Sequence, residues 1–433
     1  MLKKILILGA GKSATSLINY LIQESATLGW RIIVADSDLA LAQAKTGNAP
    51  FAEARCIDIR DPGQRRTLIG QADLVIALLP PPLVPLVAAD CAEAESHLIT
   101  ASYLDQELKS LQNKIVESGI LVLGEMGLDP GIDHMSALAW IDQIRGAGGR
   151  ILSFRSHCGG LVSPQSDDNP WRYKVSWNPR NIILAGSMGA AYKENSVLKE
   201  VDYPSLFKQC EQVVIPSLGQ LAYYPNRDSL SYQTAYGLQE AETFLRTTLR
   251  YPAFCHAWYA VVRAGLTRTD QALAHPVSFK EWSDPVHPFV TAENREQLQY
   301  LGLFDETPVP FHLHSAADVV QFLFEKRLAL QEGDKDMIVM LHQITYELNN
   351  KHYRVESLLI VHGKNSLETA MAQTVGLPLG IAAKLILQDK IKLRGLHIPV
   401  HKEIYEPVLR ELAAYGILFQ DTVEECVTIS PSA

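Results

Sequence analysis

The chain has 433 residues, with 39 Lys and Arg against 48 Asp and Glu, a formal net charge of −9 and 47% hydrophobic residues. That length exceeds one hydrophobic core and predicts two or three domains, while the acidic balance, with no long basic run, excludes nucleic acid and an anionic membrane as main partners. The six cysteines, at 56, 91, 158, 210, 255 and 426, form no C-x-x-C pair and predict reduced thiols and no metal site; with no run of about 18–20 uncharged apolar residues and a strand where a secretory leader would begin, the expectation is a cytoplasmic protein.

Residues 3–8 form an apolar strand run that ends in Gly9-Ala10-Gly11-Lys12-Ser13-Ala14, after which Ala14, Leu17, Ile18, Leu21 and Ile22 recur at helical spacing. A G-x-G-x-x-A turn between a strand and a helix lets the backbone approach a pyrophosphate, whose charge meets the free amides and partial positive dipole of the helix start. The next strand, 31–36, closes on Asp36, 22 residues after Ala14, where a carboxylate reads a ribose 2′-hydroxyl. Together these residues predict a nicotinamide dinucleotide site. The alternative is a structural glycine turn in some other parallel α/β protein.

Further strands are expected at 55–59, 72–79, 97–101 and 120–124, with helical segments between most of them, which makes a six-stranded, doubly wound parallel Rossmann sheet. Asp58, ending the third strand, either bonds an adenine amino group or sits as a solvated turn carboxylate. The fourth strand runs into Leu79-Pro80-Pro81-Pro82, where prolines stop pairing and leave a loop at the carboxyl edge of the sheet, the edge at which ligands bind. Leu79 and Pro80 are candidate cofactor contacts for that reason.

Past residue 124 the pattern changes to Glu125-Met126-Gly127-Leu128-Asp129-Pro130-Gly131-Ile132-Asp133-His134, a turn leading into a helix, and the domain boundary is placed there. The expected fold is α/β: a dinucleotide-binding domain over 1–129, on which 390–433 packs back, then an α/β substrate-binding and dimerisation domain with a mixed sheet over 130–185 and 255–389, and a small, mostly helical insertion over 186–254. Strands are expected within 151–185, broken by the polar stretch 163–170, and again at 337–342 and 355–361. Residues 366–388 read as a helix interrupted at Gly376-Leu377-Pro378. No internal repeat or low-complexity tract is present.

Several motifs, kept in order over nearly the whole chain, resemble the saccharopine dehydrogenase family in its L-glutamate-forming members. They are the 125–134 stretch, Ser156-His157-Cys158-Gly159-Gly160-Leu161, Asp168-Asn169-Pro170, Tyr173-Lys174-Val175-Ser176-Trp177, Tyr224-Pro225-Asn226-Arg227-Asp228-Ser229 and Leu249-Arg250-Tyr251. The resemblance implies hydride transfer from a secondary amine to a nicotinamide, followed by hydrolysis of the imine to L-glutamate and 2-aminoadipate 6-semialdehyde. It also implies a homodimer, for which the apolar strand 337–342 offers a sheet face that a monomer would leave half bare.

For a tricarboxylate substrate, the planar forks of Arg227 and Arg250 suit bidentate carboxylate pairing; each has a structural ion pair as its alternative, and Arg246 is as available by sequence. By position in the motifs, Ser102 and Tyr103 line the substrate, Tyr103 is also a catalytic candidate, and Thr248 and Leu249 offer hydroxyl or backbone contacts. Asp129 is the first candidate for proton handling, against a plain role as cap of a helix beginning near Gly131. Cys158 is a catalytic candidate or a small buried residue. His157, as its strand neighbour, points to the opposite face and is left out with His134. Leu128 and Gly131 are placed beside the cofactor, and Trp177 either walls the nicotinamide or packs in the core.

Where the fungal members of the family take NADP with a basic or hydroxyl residue, this chain has Asp36. Two unit charges ~4 Å apart at an effective dielectric near 20 cost about 4 kcal/mol, so NAD is the expected cofactor, with NADP left open. Three other readings stand beside this one: a carboxynorspermidine synthase type of reductive condensation, the lysine-forming saccharopine dehydrogenase, and a catalytically silent dinucleotide sensor.

Overall fold

A computed structural model describes residues 2–184, 188–270, 272–273 and 276–426. The chain forms two compact units, the first taking residues up to 143 together with 367–418, the second 144–366 and the chain from 419.

The first unit opens with six parallel strands, β1 (Lys4–Leu8), β2 (Arg31–Asp36), β3 (Ala52–Cys56), β4 (Leu74–Ala77), β5 (His97–Thr100) and β6 (Leu121–Leu123), in the spatial order β6-β5-β4-β1-β2-β3. Ile5, Leu6 and Ile7 are wholly buried, as expected of a strand covered on both faces. The third strand lies three residues earlier than expected, so Asp58 falls beyond it. The order reverses between β4 and β1, which is where a doubly wound sheet opens a crevice for ligands.

The second unit carries β7 (Arg150–Val162), β8 (Ala190–Glu194), β9 (Val197–Val201), β10 (Glu211–Ile215), β11 (Gly219–Pro225), β12 (Thr243–Arg250), β13 (Asp336–Leu348) and β14 (Lys351–His362). The described part of 186–254 therefore carries five strands and more strand than helix rather than being mostly helical, and it is no separate insertion: β12 lies parallel to β7, and β11 pairs with β12. The reason is local. Asn195 and Ser196 both adopt positive φ, 49° and 64°, closing the β8–β9 hairpin with a two-residue turn, and Asn349 and Asn350 (52° and 61°) close β13–β14 in the same way. On one side of this sheet lies a core that includes Trp171, Tyr173, Phe254, Trp258 and Phe324; burying each ring is worth roughly 1.5–3 kcal/mol. A second cluster, with Leu161, Leu221, Leu245, Leu249 and Leu341, forms around the alternate positions of the same strands. Met337 to Met340 are wholly buried between β7 and β14, so the stretch expected to be half bare is covered by the chain itself.

The chain then returns to the first unit through an uninterrupted helix, Ala370–Leu387, with Pro378 inside it. It packs on the helix Thr15–Leu28, where a Cβ on Gly376 would come 2.8 Å from the Leu17 backbone nitrogen and one on Gly380 2.6 Å from the Tyr20 ring. That close approach assigns 370–387 to the first unit, not the second. The helix is long and apolar enough to cross a membrane, but most of it is buried and it carries Lys384. A seventh strand, β15 (Gly395–His397), adds to β6 in parallel. The last, β16 (Gln420–Cys426), pairs antiparallel with β14 in the second unit, so only part of 390–433 packs back on the first unit; 427–433 lie outside the described residues.

Candidate active site

In the first unit, the turn after β1 is shaped by Gly9. Its φ is +104°, and a Cβ there would sit 2.4 Å from the Leu78 carbonyl oxygen, so β1 and the end of β4 approach in a way only glycine permits. Gly11 is exposed, with no atom within 4 Å of a built Cβ, which leaves its backbone open to a pyrophosphate. Lys12 and Ser13 follow in a single 3-10 turn that ends at the buried Ala14 and runs into the helix Thr15–Leu28. The half-buried Asp36 carboxylate accepts the Ala10 N–H at 2.7 Å through Oδ2 and the Asp38 N–H at 3.0 Å through Oδ1. The carboxylate is thus fixed beside the glycine turn, in the place where a ribose diol is read. These residues fit a nicotinamide dinucleotide. Sequence reasoning missed Lys45, which donates to the Thr15 hydroxyl at the helix start and whose burial pulls its ammonium below the usual range. It also missed Arg55, in register with Ala35 on the neighbouring strand and ion-paired with Glu53.

Asp58 is exposed, and its carboxylate accepts the Arg60 N–H at 2.9 Å, so it closes its own turn. Leu79 is half-buried and Pro80 exposed at the carboxyl end of β4. Ser102 and Tyr103, both half-buried, follow β5, and a Cβ on Gly127 would come 3.0 Å from Ala101, which packs the 127–131 turn against that segment. Within the turn, Leu128 is buried, the Asp129–Pro130 peptide is cis, and Gly131 has φ +146° with the Gly127 carbonyl 2.1 Å from where its Cβ would stand. The helix begins at Ile132, and the carboxylate that accepts the Gly131 N–H, at 2.6 Å, is Asp133. The half-buried Asp129 is not the residue that precedes this helix.

In the second unit, strand register decides which side chains share a face. Cys158 pairs with Thr248, Thr248 with Tyr224, and Arg250 with Ala222, so Cys158, Thr248, Tyr224 and Arg250 point the same way. Arg246, in register with Ser156, joins them, buried and 4.4 Å from the centre of the Tyr232 ring. Leu249 faces the opposite way into the second core cluster; the contact it offers is its carbonyl, which accepts Arg250 Nη1 at 2.8 Å. His157 also faces away from Cys158, 2.7 Å from the Thr247 hydroxyl, and burial pulls its imidazole down to about 3, so it is neutral. Trp177 is partly buried and packs against the large aromatic core.

Arg250 is the anomaly of this face. It is 6% exposed, its Nε has no hydrogen-bond partner, and no carboxylate among the described residues pairs with it. Its guanidinium lies 5.6 Å from the Tyr173 ring centre and 5.3 Å from that of Phe254. Burial opposes its charge, but the Tyr224 and Tyr173 hydroxyls and the Cys255 and Cys158 thiols push its affinity for the proton up, and it stays a cation. A buried charge is costly unless paired, and the neighbours this guanidinium has are two aromatic rings and the Leu249 carbonyl. Arg227, half-buried, holds φ +51° in the loop after β11, a left-handed conformation uncommon outside glycine and frequent at functional sites. Among the described residues no group of three or more His, Cys, Asp or Glu is arranged to hold a metal ion.

Comparison with known proteins gives consistent matches. Residues 5–123 match the saccharopine dehydrogenase NADP binding domain and residues 127–417 the saccharopine dehydrogenase C-terminal domain. The chain is 31% identical to the saccharopine dehydrogenase [NADP(+), L-glutamate-forming] of Saccharomyces cerevisiae, over 97% of this chain and 99% of that one. It is 33% identical to the alpha-aminoadipic semialdehyde synthase of Arabidopsis thaliana over 97% of this chain but 45% of that protein, so it spans about half the length of such relatives. The solved apo saccharopine dehydrogenase (L-Glu forming) from S. cerevisiae superposes with a TM-score of 0.85 over 98% of this chain and all of that one, at 31% identity. A homospermidine synthase from Legionella pneumophila, 10% identical with a TM-score of 0.60 over the full chain and 93% of that one, shares the fold alone.

Proposed function

The chain belongs to the saccharopine dehydrogenase family, and from that membership we propose that it oxidises the C–N bond of saccharopine with a nicotinamide cofactor and releases L-glutamate. The observation that carries this reading is Arg250, a buried guanidinium with an unfilled Nε on the same sheet face as Cys158 and Thr248. Saccharopine brings three carboxylates, and one on Arg250 supplies the counter-charge the fold omits; Arg227 takes a second.

Per turnover the secondary amine loses a hydride and a proton and becomes an imine, one water adds across it, and the C–N bond breaks to L-glutamate and 2-aminoadipate 6-semialdehyde. A bound nicotinamide supplies the hydride acceptor. Gly9 and Gly11 would admit its pyrophosphate, and Asp36 would take its ribose. Asp129 receives a proton from the attacking water and returns it to the departing amine, with the Tyr103 hydroxyl and the Cys158 thiol as the other groups that hold or move protons. Thr248 and Ser102 orient the substrate by hydrogen bonds.

Asp36 supports NAD as the preferred cofactor, since its carboxylate is already held by two backbone amides and would face a 2′-phosphate as a fixed negative charge. The yeast relative is named for NADP(+), which makes this the sharper part of the proposal. A homodimer is the assembly we favour: Val197, Leu198 and Val214, on β9 and β10, are each more than half exposed and offer an apolar surface to a second copy. Light scattering that found only monomer at micromolar concentration would remove the dimer.

The function is tested by mixing purified protein with L-saccharopine and either NAD or NADP, following nicotinamide reduction and identifying the amino acid released. Glutamate with a higher kcat/KM for NAD is the expected result. Lysine in place of glutamate, or no reduction with either cofactor, would overturn it.

A further inference from the structure

Glu125 is a buried carboxylate that the reaction outlined above does not use. It is 4% exposed, holds φ +56° two residues past the short β6 segment, and its side chain accepts from two neighbouring segments. Oε1 accepts the Leu104 N–H at 3.1 Å, and Oε2 accepts His134 Nε2–H at 2.9 Å. The Glu125 N–H in turn donates to the Ser102 carbonyl at 3.0 Å, so one residue ties down both sides of Tyr103. His134 is fully buried, and its Nδ1 lies 3.6 Å from Asp133 Oδ2, while Asp133 Oδ1 accepts the Gly131 N–H, two residues past Asp129.

A carboxylate, an imidazole and a second carboxylate are thus in successive contact, and the two carboxylates each accept a backbone N–H from one of two turns. A left-handed conformation at a non-glycine residue costs about 1–3 kcal/mol and persists only where the surroundings over-determine it. Here the surroundings are the backbone amides of the segments that present Ser102, Tyr103 and Asp129. We propose that Glu125 and His134 are positioning residues that fix these two turns to each other and so set the geometry of the substrate step, away from the glycine turn after β1 that meets the pyrophosphate. The proposal rests on the reading of Tyr103 and Asp129 given above.

The test uses Glu125→Ala and the isosteric Glu125→Gln in the full chain, with His134→Gln as a third variant. Glu125→Ala is expected to lower kcat/KM for saccharopine about a hundredfold, the cost of misplacing catalytic groups by about an ångström, while the Kd for NADH, read by fluorescence, stays within about twofold. Glu125→Gln keeps an oxygen for Leu104 N–H and is expected to recover much of the loss. Amide hydrogen exchange without substrate reads the anchoring itself: protection at Leu104, whose N–H donates to Glu125, is expected in the wild type and lost in Glu125→Ala. Loss of NADH affinity in step with activity, or unchanged protection at Leu104 in the Ala variant, would overturn the proposal. A wild-type protein inert toward saccharopine but showing the expected exchange pattern would defeat the assigned function and leave the positioning role standing.

Discussion

In the first unit, the groups that meet a dinucleotide come from neighbouring stretches of chain: a six-residue turn and, 26 residues after Ala10, the Asp36 carboxylate that accepts its amide. In the second unit, Cys158, Tyr224, Thr248 and Arg250 share one face because three strands, distant in sequence, pair in one register. The first kind of site is held by steric necessity at a glycine, the second by a sheet that tolerates a buried cation with no carboxylate partner among the described residues. The two should therefore answer mutation differently. Changes to the turn damage binding through the backbone, whereas loss of the cation removes function at no cost to the fold.

The strongest test of that contrast is Arg250→Met. Truncating one partner of a buried charge pair costs about 3–4 kcal/mol of binding, so kcat/KM for saccharopine is expected to fall by about 10²–10³. The Tm of the substrate-free protein should hold or rise, because an uncompensated buried charge has gone. A fall in Tm matching the loss of activity would make Arg250 a structural residue. Gly9→Ala should show the reverse pattern. Its Cβ meets the Leu78 carbonyl, and strain of about 2 kcal/mol would weaken NADH binding about thirtyfold, with Tm falling as well; calorimetric titration beside a thermal melt reads both.

A smaller effect separates the two cofactors. Asp36→Ser removes the fixed charge and is expected to shift the kcat/KM ratio about tenfold toward NADP, roughly 1.4 kcal/mol. An unchanged ratio would mean that Asp36 serves the turn alone.

The last effect, read as a pH slope of stability rather than a change in rate, concerns the buried face opposite Cys158. His157 is neutral when folded, its imidazole pulled down to about 3, against an unfolded value near 6.5. Between those values the unfolded chain binds more protons, so stability rises with pH across that window, is complete above about 6.5, and is lost as pH falls toward 3. His157→Gln should lower the slope of unfolding free energy against pH there by up to about 1.4 kcal/mol per unit. Denaturant melts at pH 5 and pH 7 would show it, and an unchanged slope would contradict the assignment.

The same contrast explains what could be seen in the sequence. Strands β1 to β6, the glycine turn and Asp36 announce themselves by local periodicity and spacing, whereas β15 is three residues long and has none to show. Residues 186–254 were expected to be mostly helical because their apolar positions have no clean period of two. Yet Asn195-Ser196 was visible as a two-residue hairpin turn, a signal that could have found β8 and β9. Arg250 was legible as a type, a guanidinium in a recognisable motif. Its lack of a partner was not, because pairing depends on which residues from other strands and helices surround it. Arg246 shares its face for the same nonlocal reason. Gly376-Leu377-Pro378 suggested a break, and the helix continues through it because the two glycines that flank Pro378 are packed against the helix Thr15–Leu28.

The most direct test of the central claim is an experimental structure of the protein with saccharopine and the oxidised cofactor bound. The account predicts a substrate carboxylate at hydrogen-bond distance, about 3 Å, from Nε of Arg250. A substrate bound with Nε still unpartnered, or with a carboxylate of the chain itself moved onto it, would contradict the claim that this buried cation exists to hold the substrate.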